Sequence, residues 1–129
     1  MKFKILTYSL LFIFLISCKS EVKKSNPKYS VYNGTYNSTF NEDGISIGQL
    51  VIKYNKDREI NFEITTATQS GCTGDLTGTA KIESNGIAYY GNSDCESLTF
   101  EFKNNQIIVN EKNCNFHGMR CTFNGTYKK

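Results

Sequence analysis

An all-β domain, closed as a small antiparallel up-and-down barrel of about eight strands, is the fold this sequence predicts. Three observations predict it. First, apolar and polar residues alternate with a period of two along most of the chain after Val31, which is the signature of strands with one buried and one wet face. Second, Asn and Gly punctuate the chain at short intervals, and Pro27 is the only proline. Third, Asn33-Gly34-Thr35-Tyr36 recurs near the other end as Asn124-Gly125-Thr126-Tyr127. Two such strands at opposite ends of a meander could pair and close it, which removes exposed edges. An open β-sandwich is the alternative.

The elements follow from the pattern. Ile60, Phe62 and Ile64 alternate with Asn61 and Glu63; Leu76, Gly78, Ala80 and Ile82 alternate with Thr77, Thr79 and Lys81. Leu98, Phe100 and Phe102 alternate with Thr99, Glu101 and Lys103, and Phe123 and Tyr127 share a face. Asn85-Gly86 is a strong type I′ hairpin signal, Asn104-Asn105 a second, and Asn55 to Arg58 a longer polar turn. These place strands at 31–40, 45–54, 59–66, 74–84, 87–91, 97–103, 106–112 and 121–128. No segment carries a helical period. The domain is expected to span 31–129, behind a flexible linker over 18–30 that lacks apolar periodicity.

The N-terminus speaks of location. Lys2 and Lys4 precede an apolar core from Ile5 to Ile16, interrupted by Thr7, Tyr8 and Ser9, and the small residue Ser17 follows. A basic start, a short apolar core and a small residue before the cut make a signal peptide, here 1–17. At 12 residues the core is too short for a bilayer span, which needs about 20. Leu15-Ile16-Ser17-Cys18 resembles the lipobox of bacterial lipoproteins. The resemblance implies cleavage before Cys18 and lipidation of its sulfur. Lys19 stands where inner-membrane lipoproteins commonly carry Asp, so the resemblance favours the outer membrane, facing the periplasm or the cell surface.

Charge excludes one large class of partner. Without Lys2 and Lys4 the chain has 13 basic against 12 acidic residues, and the region 29–129 is slightly acidic. Nucleic acid requires phosphate neutralisation by a basic face, which this balance does not offer. The basic residues Lys19, Lys23, Lys24 and Lys28 cluster in the linker, where they are either a solvated spacer or a contact to anionic headgroups. Asn33, Asn37 and Asn124 open Asn-x-Ser/Thr triplets, which matter only in a eukaryotic secretory pathway.

Four cysteines follow Cys18, an even number that reads as two disulfides in an exported domain. Centring a hairpin on Asn104-Asn105 sets Phe102 opposite Ile107, Phe100 opposite Val109 and Cys95 opposite Cys114, leaving Cys72 with Cys121. The rival pairing joins Cys72 to Cys95 and Cys114 to Cys121. Cys114, His117 and Cys121 could in principle ligate zinc, but the chain lacks a Cys-x-x-Cys pair and the expected compartment is oxidising.

Catalytic signatures are wanting. The single His cannot by its position alone define a triad. Glu59, Glu63, Asp75, Glu83 and Glu101 read as the wet faces of strands rather than facing carboxyls. Gly71-Cys72-Thr73-Gly74 lacks the lysine and helix of a phosphate loop, so no cofactor is expected. The expectation is a non-enzymatic, monomeric protein-binding module that works through loops around 67–74 and 113–120. Phe116, His117, Met119 and Arg120 are the candidate contacts, because aromatics and Arg dominate interface hot spots. Residues 72–129 resemble small envelope lipoproteins through Cys95, Leu98, Phe100, Phe102, Cys114, Gly118, Gly125 and Tyr127. The chain is also similar to periplasmic lysozyme inhibitors, some of which insert a disulfide-closed, His-bearing loop into the lysozyme cleft; His117 between Cys114 and Cys121 carries that likeness. A lipocalin-like carrier of a small apolar ligand is the alternative.

Overall fold

A computed structural model describes residues 28–41 and 45–129. The segments expected as signal peptide and linker, with Cys18, lie up to Pro27 outside the described residues. A short 3-10 helix, Ser30–Tyr32, leads into eight strands: β1 Gly34–Asn41, β2 Ile45–Tyr54, β3 Glu59–Thr68, β4 Thr73–Ile82, β5 Ile87–Asn92, β6 Cys95–Lys103, β7 Gln106–Cys114 and β8 Gly125–Lys128. Each pairs antiparallel with the next, and β8 returns to β1, so the sheet is a closed barrel rather than an open sandwich.

The period-two pattern sets the core. Leu50, Ile52, Ile60, Phe62, Ile64 and Leu76 point inward from the first half of the barrel; Leu98, Phe100, Ile107, Val109, Phe123 and Tyr127 meet them from the second. Phe62 packs on Phe100 with ring centroids 4.8 Å apart, joining the two halves at the centre. The β6–β7 register is the one expected: Phe102 opposite Ile107, Phe100 opposite Val109 and Cys95 opposite Cys114. The disulfides are Cys95–Cys114 and Cys72–Cys121, the pairing that the hairpin register favours over its rival.

The repeated tetrapeptide has the same task in both places. Asn33 Oδ1 accepts the Tyr54 N–H at the end of β2, and Asn124 Oδ1 accepts the Glu111 N–H of β7, each at 2.6 Å. Each Asn thereby docks the start of its strand onto the neighbour. The tyrosines then reach back four residues: Tyr36 Oη donates to the Tyr32 carbonyl at 2.8 Å, and Tyr127 Oη to the Phe123 carbonyl at 3.0 Å. The copies lie on adjacent strands, but the described β1–β8 pairing is confined to Asn37 with Lys128.

Two strand boundaries differ from expectation by three residues or more, the others by two at most. Val31 and Tyr32 belong to the 3-10 helix and Asn33 caps it, so β1 starts only at Gly34. Residues 121–124 also leave the sheet, because their polar groups are bound elsewhere: Cys121 is tied to Cys72, and the Thr122 hydroxyl and Phe123 N–H both bond the Glu111 side chain. Phe123 nonetheless stays fully buried.

Candidate functional site

Antiparallel winding sends the turns alternately to the two ends of the barrel. One end gathers the β3–β4, β5–β6 and β7–β8 connections, and both disulfides with them. The β7–β8 connection is a ten-residue lid, 115–124, that leaves β7 and crosses to β4. Its backbone is bonded to each element it passes. Asn115 N–H donates to the Asp94 carbonyl at 2.7 Å, Asp75 N–H to the Phe116 carbonyl at 3.2 Å, and Gly118 N–H to the Thr73 carbonyl at 3.2 Å. The close approach requires glycine at 74. A Cβ there would lie 2.3 Å from the His117 Cβ and 2.9 Å from its Cα, and the backbone of the lid cannot yield cheaply.

Beneath the lid lies Glu111, whose side chain is only 8 % exposed. Its Oε1 accepts the Thr122 hydroxyl and the Phe123 N–H, the latter at 3.0 Å; its Oε2 lies 2.9 Å from His117 Nε2. The other ring nitrogen, Nδ1, is 2.8 Å from the Gly118 carbonyl, which can only accept, so Nδ1 carries a proton. The imidazole also stands edge-on to Phe123, with centroids 5.0 Å apart. A buried carboxyl without partners would cost several kcal/mol, roughly; here three donors from a single loop satisfy it and fix the loop in return.

Burial holds the Tyr127 phenol well above its ordinary range, at about 12, with the Glu111 charge acting in the same direction and the Ser38 hydroxyl partly offsetting both. On the surface nearby, Glu96 bonds Lys112 and Asn113, which keep its carboxyl below the ordinary value.

The four residues expected to bind a partner divide into two pairs. Phe116 packs against the core, and His117 turns inward with both ring nitrogens engaged. Met119 is wholly exposed, at 104 %, and Arg120 is exposed beside it. His117 is thus a brace of the lid rather than a presented contact. The lid is not closed on itself either, since Cys114 before it pairs with Cys95 of β6 and its own Cys121 pairs with Cys72 of the β3–β4 turn. Sequence reasoning missed Glu111. Its one available signal was a carboxylate on the inward phase set by Ile107 and Val109, flanked by the exposed Asn110 and Lys112. Among the described residues, no group of His, Cys, Asp and Glu side chains is placed to hold a metal. Ile47 adds an exposed apolar side chain on the outer wall at the same end, in a shallow hollow of about 280 Å³ with Ala67, Thr68 and Gln69.

Comparison with known proteins adds no relative: no family model matches the chain, and no curated protein or solved structure matches it.

Proposed function

We propose that the chain is a lipid-anchored envelope protein acting as a non-enzymatic protein-binding module, with the tip of the lid as its contact. One observation carries this reading. Met119 stands entirely in water on a segment held by the Cys72–Cys121 bridge, the Cys95–Cys114 bridge beside it and the Glu111 network. A flexible, polarisable thioether suits an adaptable apolar contact, and a pre-ordered support lowers the entropy lost on binding. Arg120 adds a planar donor that can select a carboxylate on the partner. The engagement of both His117 nitrogens supports this reading over catalysis, because no ring nitrogen is left to take a proton from a substrate.

Lysozyme inhibition is the most specific form of the proposal, now resting on Met119 and Arg120 rather than on an inserted histidine. The purified protein is added in stoichiometric excess to cell-wall lysis by several lysozymes. Undiminished lysis rejects that form. Pull-down from envelope extract, compared between wild type and Met119→Asp, tests the wider one: identical capture by both rejects the lid tip as the contact. A carrier role is not advanced, because Phe62, Phe100, Phe123, Tyr36 and Tyr127 are buried within one continuous core where a ligand would sit.

A further inference from the structure

The barrel is electrostatically two-ended. The described chain enters at the end opposite the lid, where Lys28 precedes the 3-10 helix. The β2–β3 turn brings Lys56 and Arg58 to that end, strand termini bring Lys53, Lys81 and Lys103, and β8 delivers Lys128 and Lys129. These eight basic side chains face four acidic ones there, Asp57, Glu59, Glu83 and Glu101. At the lid end the described balance reverses, with Lys112 and Arg120 against Asp75, Asp94, Glu96 and Glu111. A chain that is nearly neutral overall has therefore sorted its charge by direction.

The basic end also has shape and an apolar point. A hollow of about 510 Å³ is lined by Lys103, Asn104, Asn105, Gln106, Lys128 and Lys129, donors with no carboxylate side chain among them. Lys103 is paired with Glu101 at 3.2 Å, outside that lining. Val31, on the 3-10 helix, is 68 % exposed, and Lys129 Nζ reaches its carbonyl at 3.4 Å. Behind it Phe102 meets Tyr29 edge-on and Tyr32 at a tilt, with the Tyr32 and Phe102 centroids 4.8 Å apart, so the helix is seated on an aromatic base.

We infer that this end is a membrane-docking surface, which seats its lysines on anionic phospholipid headgroups and presses Val31 toward the acyl boundary. The inference rests on the lipid-anchor reading for its geometry. Cys18 precedes Lys28 by ten residues, a reach of at most about 35 Å. A tether that short makes docking effectively intramolecular. Basic side chains near an anionic leaflet are attracted within about one Debye length, 8 Å at physiological salt. Docking at this end points the lid and Met119 away from the bilayer.

The sequence contains no Trp, so Val31→Trp and Met119→Trp each create a single fluorescent reporter at opposite ends. Each full chain, recovered from its envelope, is placed with vesicles of brominated phosphatidylglycerol or of brominated phosphatidylcholine. The expected result is V31W quenched several-fold more than M119W on the anionic vesicles, with the difference lost on the neutral ones and in the K103E/K128E background. Equal quenching of the two reporters on anionic vesicles overturns the docking surface. So does V31W quenching that charge reversal leaves untouched. The anchor is read separately, from the mass at Cys18 and from flotation with neutral vesicles. A chain that floats without V31W quenching keeps its anchor and loses its docking face; one that lacks lipid but still shows selective V31W quenching does the reverse.

Discussion

Glu111→Ala is the perturbation that most directly probes how the lid is held. The substitution removes the acceptor for the Thr122 hydroxyl, the Phe123 N–H and His117 Nε2 together. A hydrogen bond to a charged group contributes about 1.5–3 kcal/mol, and a buried donor left without its acceptor costs about 1–3 kcal/mol. These contributions overlap, since all three donors belong to one loop that can partly relax into water. A loss of about 3–5 kcal/mol is therefore expected, which for a domain of this size lowers Tm by roughly 15–30 °C. Glu111→Gln should lose less than half as much, because its amide oxygen can still accept from Thr122 and Phe123. The control is Glu101→Ala, whose partner Lys103 is 3.2 Å away with both side chains well exposed, and which should change stability by no more than about 0.5 kcal/mol. Urea unfolding followed by circular dichroism, with disulfides intact, measures all three. A Glu111→Ala loss below about 1 kcal/mol, or one equal to that of Glu101→Ala, would refute the view that this carboxylate organises the lid.

Two further outcomes follow from the same geometry. Replacing Cys72 and Cys121 by Ser opens a bridge of sequence separation 49 and should cost about 4 kcal/mol in urea unfolding, against about 3 kcal/mol for the Cys95–Cys114 pair at separation 19; the reverse ranking would mean that chain entropy does not govern the two bridges. Tyr127 supplies a pH dependence. Its phenol is raised from 10.0 to about 12 in the folded protein, so the unfolded chain releases that proton first and stability falls as pH rises from about 10 to 12. The loss is about 2–3 kcal/mol over that window. Tyr127→Phe should flatten it, and an unchanged alkaline slope in the variant would assign the effect to other groups.

Most of the barrel was legible because its information is local. Period-two alternation fixes which side chains face inward, and the Asn104-Asn105 turn fixes a register that carries Cys95 to Cys114. From there the second disulfide follows by elimination, so long-range closure could be read from a single hairpin. The lid was not legible in the same way. Phe123 and Tyr127 share a face as expected, yet the four residues 121–124 do not continue the strand, because their donors have a better acceptor in a side chain than in the ladder. The sequence sets Glu111 in the inward phase of Ile107 and Val109 but names no partner for it. Only three-dimensional proximity brings His117, Thr122 and Phe123 to its carboxylate, and no periodicity encodes that. The candidate contacts fared likewise: residue type singled out Phe116, His117, Met119 and Arg120 together, and only burial separates the inward pair from the outward one.

The lid's place in the fold explains why it needs so many ties. The barrel consists of two four-stranded meanders, β1–β4 and β5–β8, joined at two sparse seams. β4 is ten residues long but pairs with β5 only at Lys81 with Tyr89 and Ile82 with Ala88. The β4 backbone from Thr73 to Asp75 is left without β5, and it is there that Phe116 to Gly118 supply the missing partners through the Asp75, Gly118 and Thr73 bonds. Cys72–Cys121 joins the two meanders covalently at the same place, whereas Cys95–Cys114 lies within one of them. The lid is thus a substitute rung across an incomplete seam, and its rigidity is a requirement of closure before it is a property of a binding site. Met119 and Arg120 inherit that rigidity because they sit between His117, braced on Glu111, and Cys121, bridged to Cys72. A contact displayed there needs no separate ordering mechanism, since the forces that close the barrel have already fixed its base.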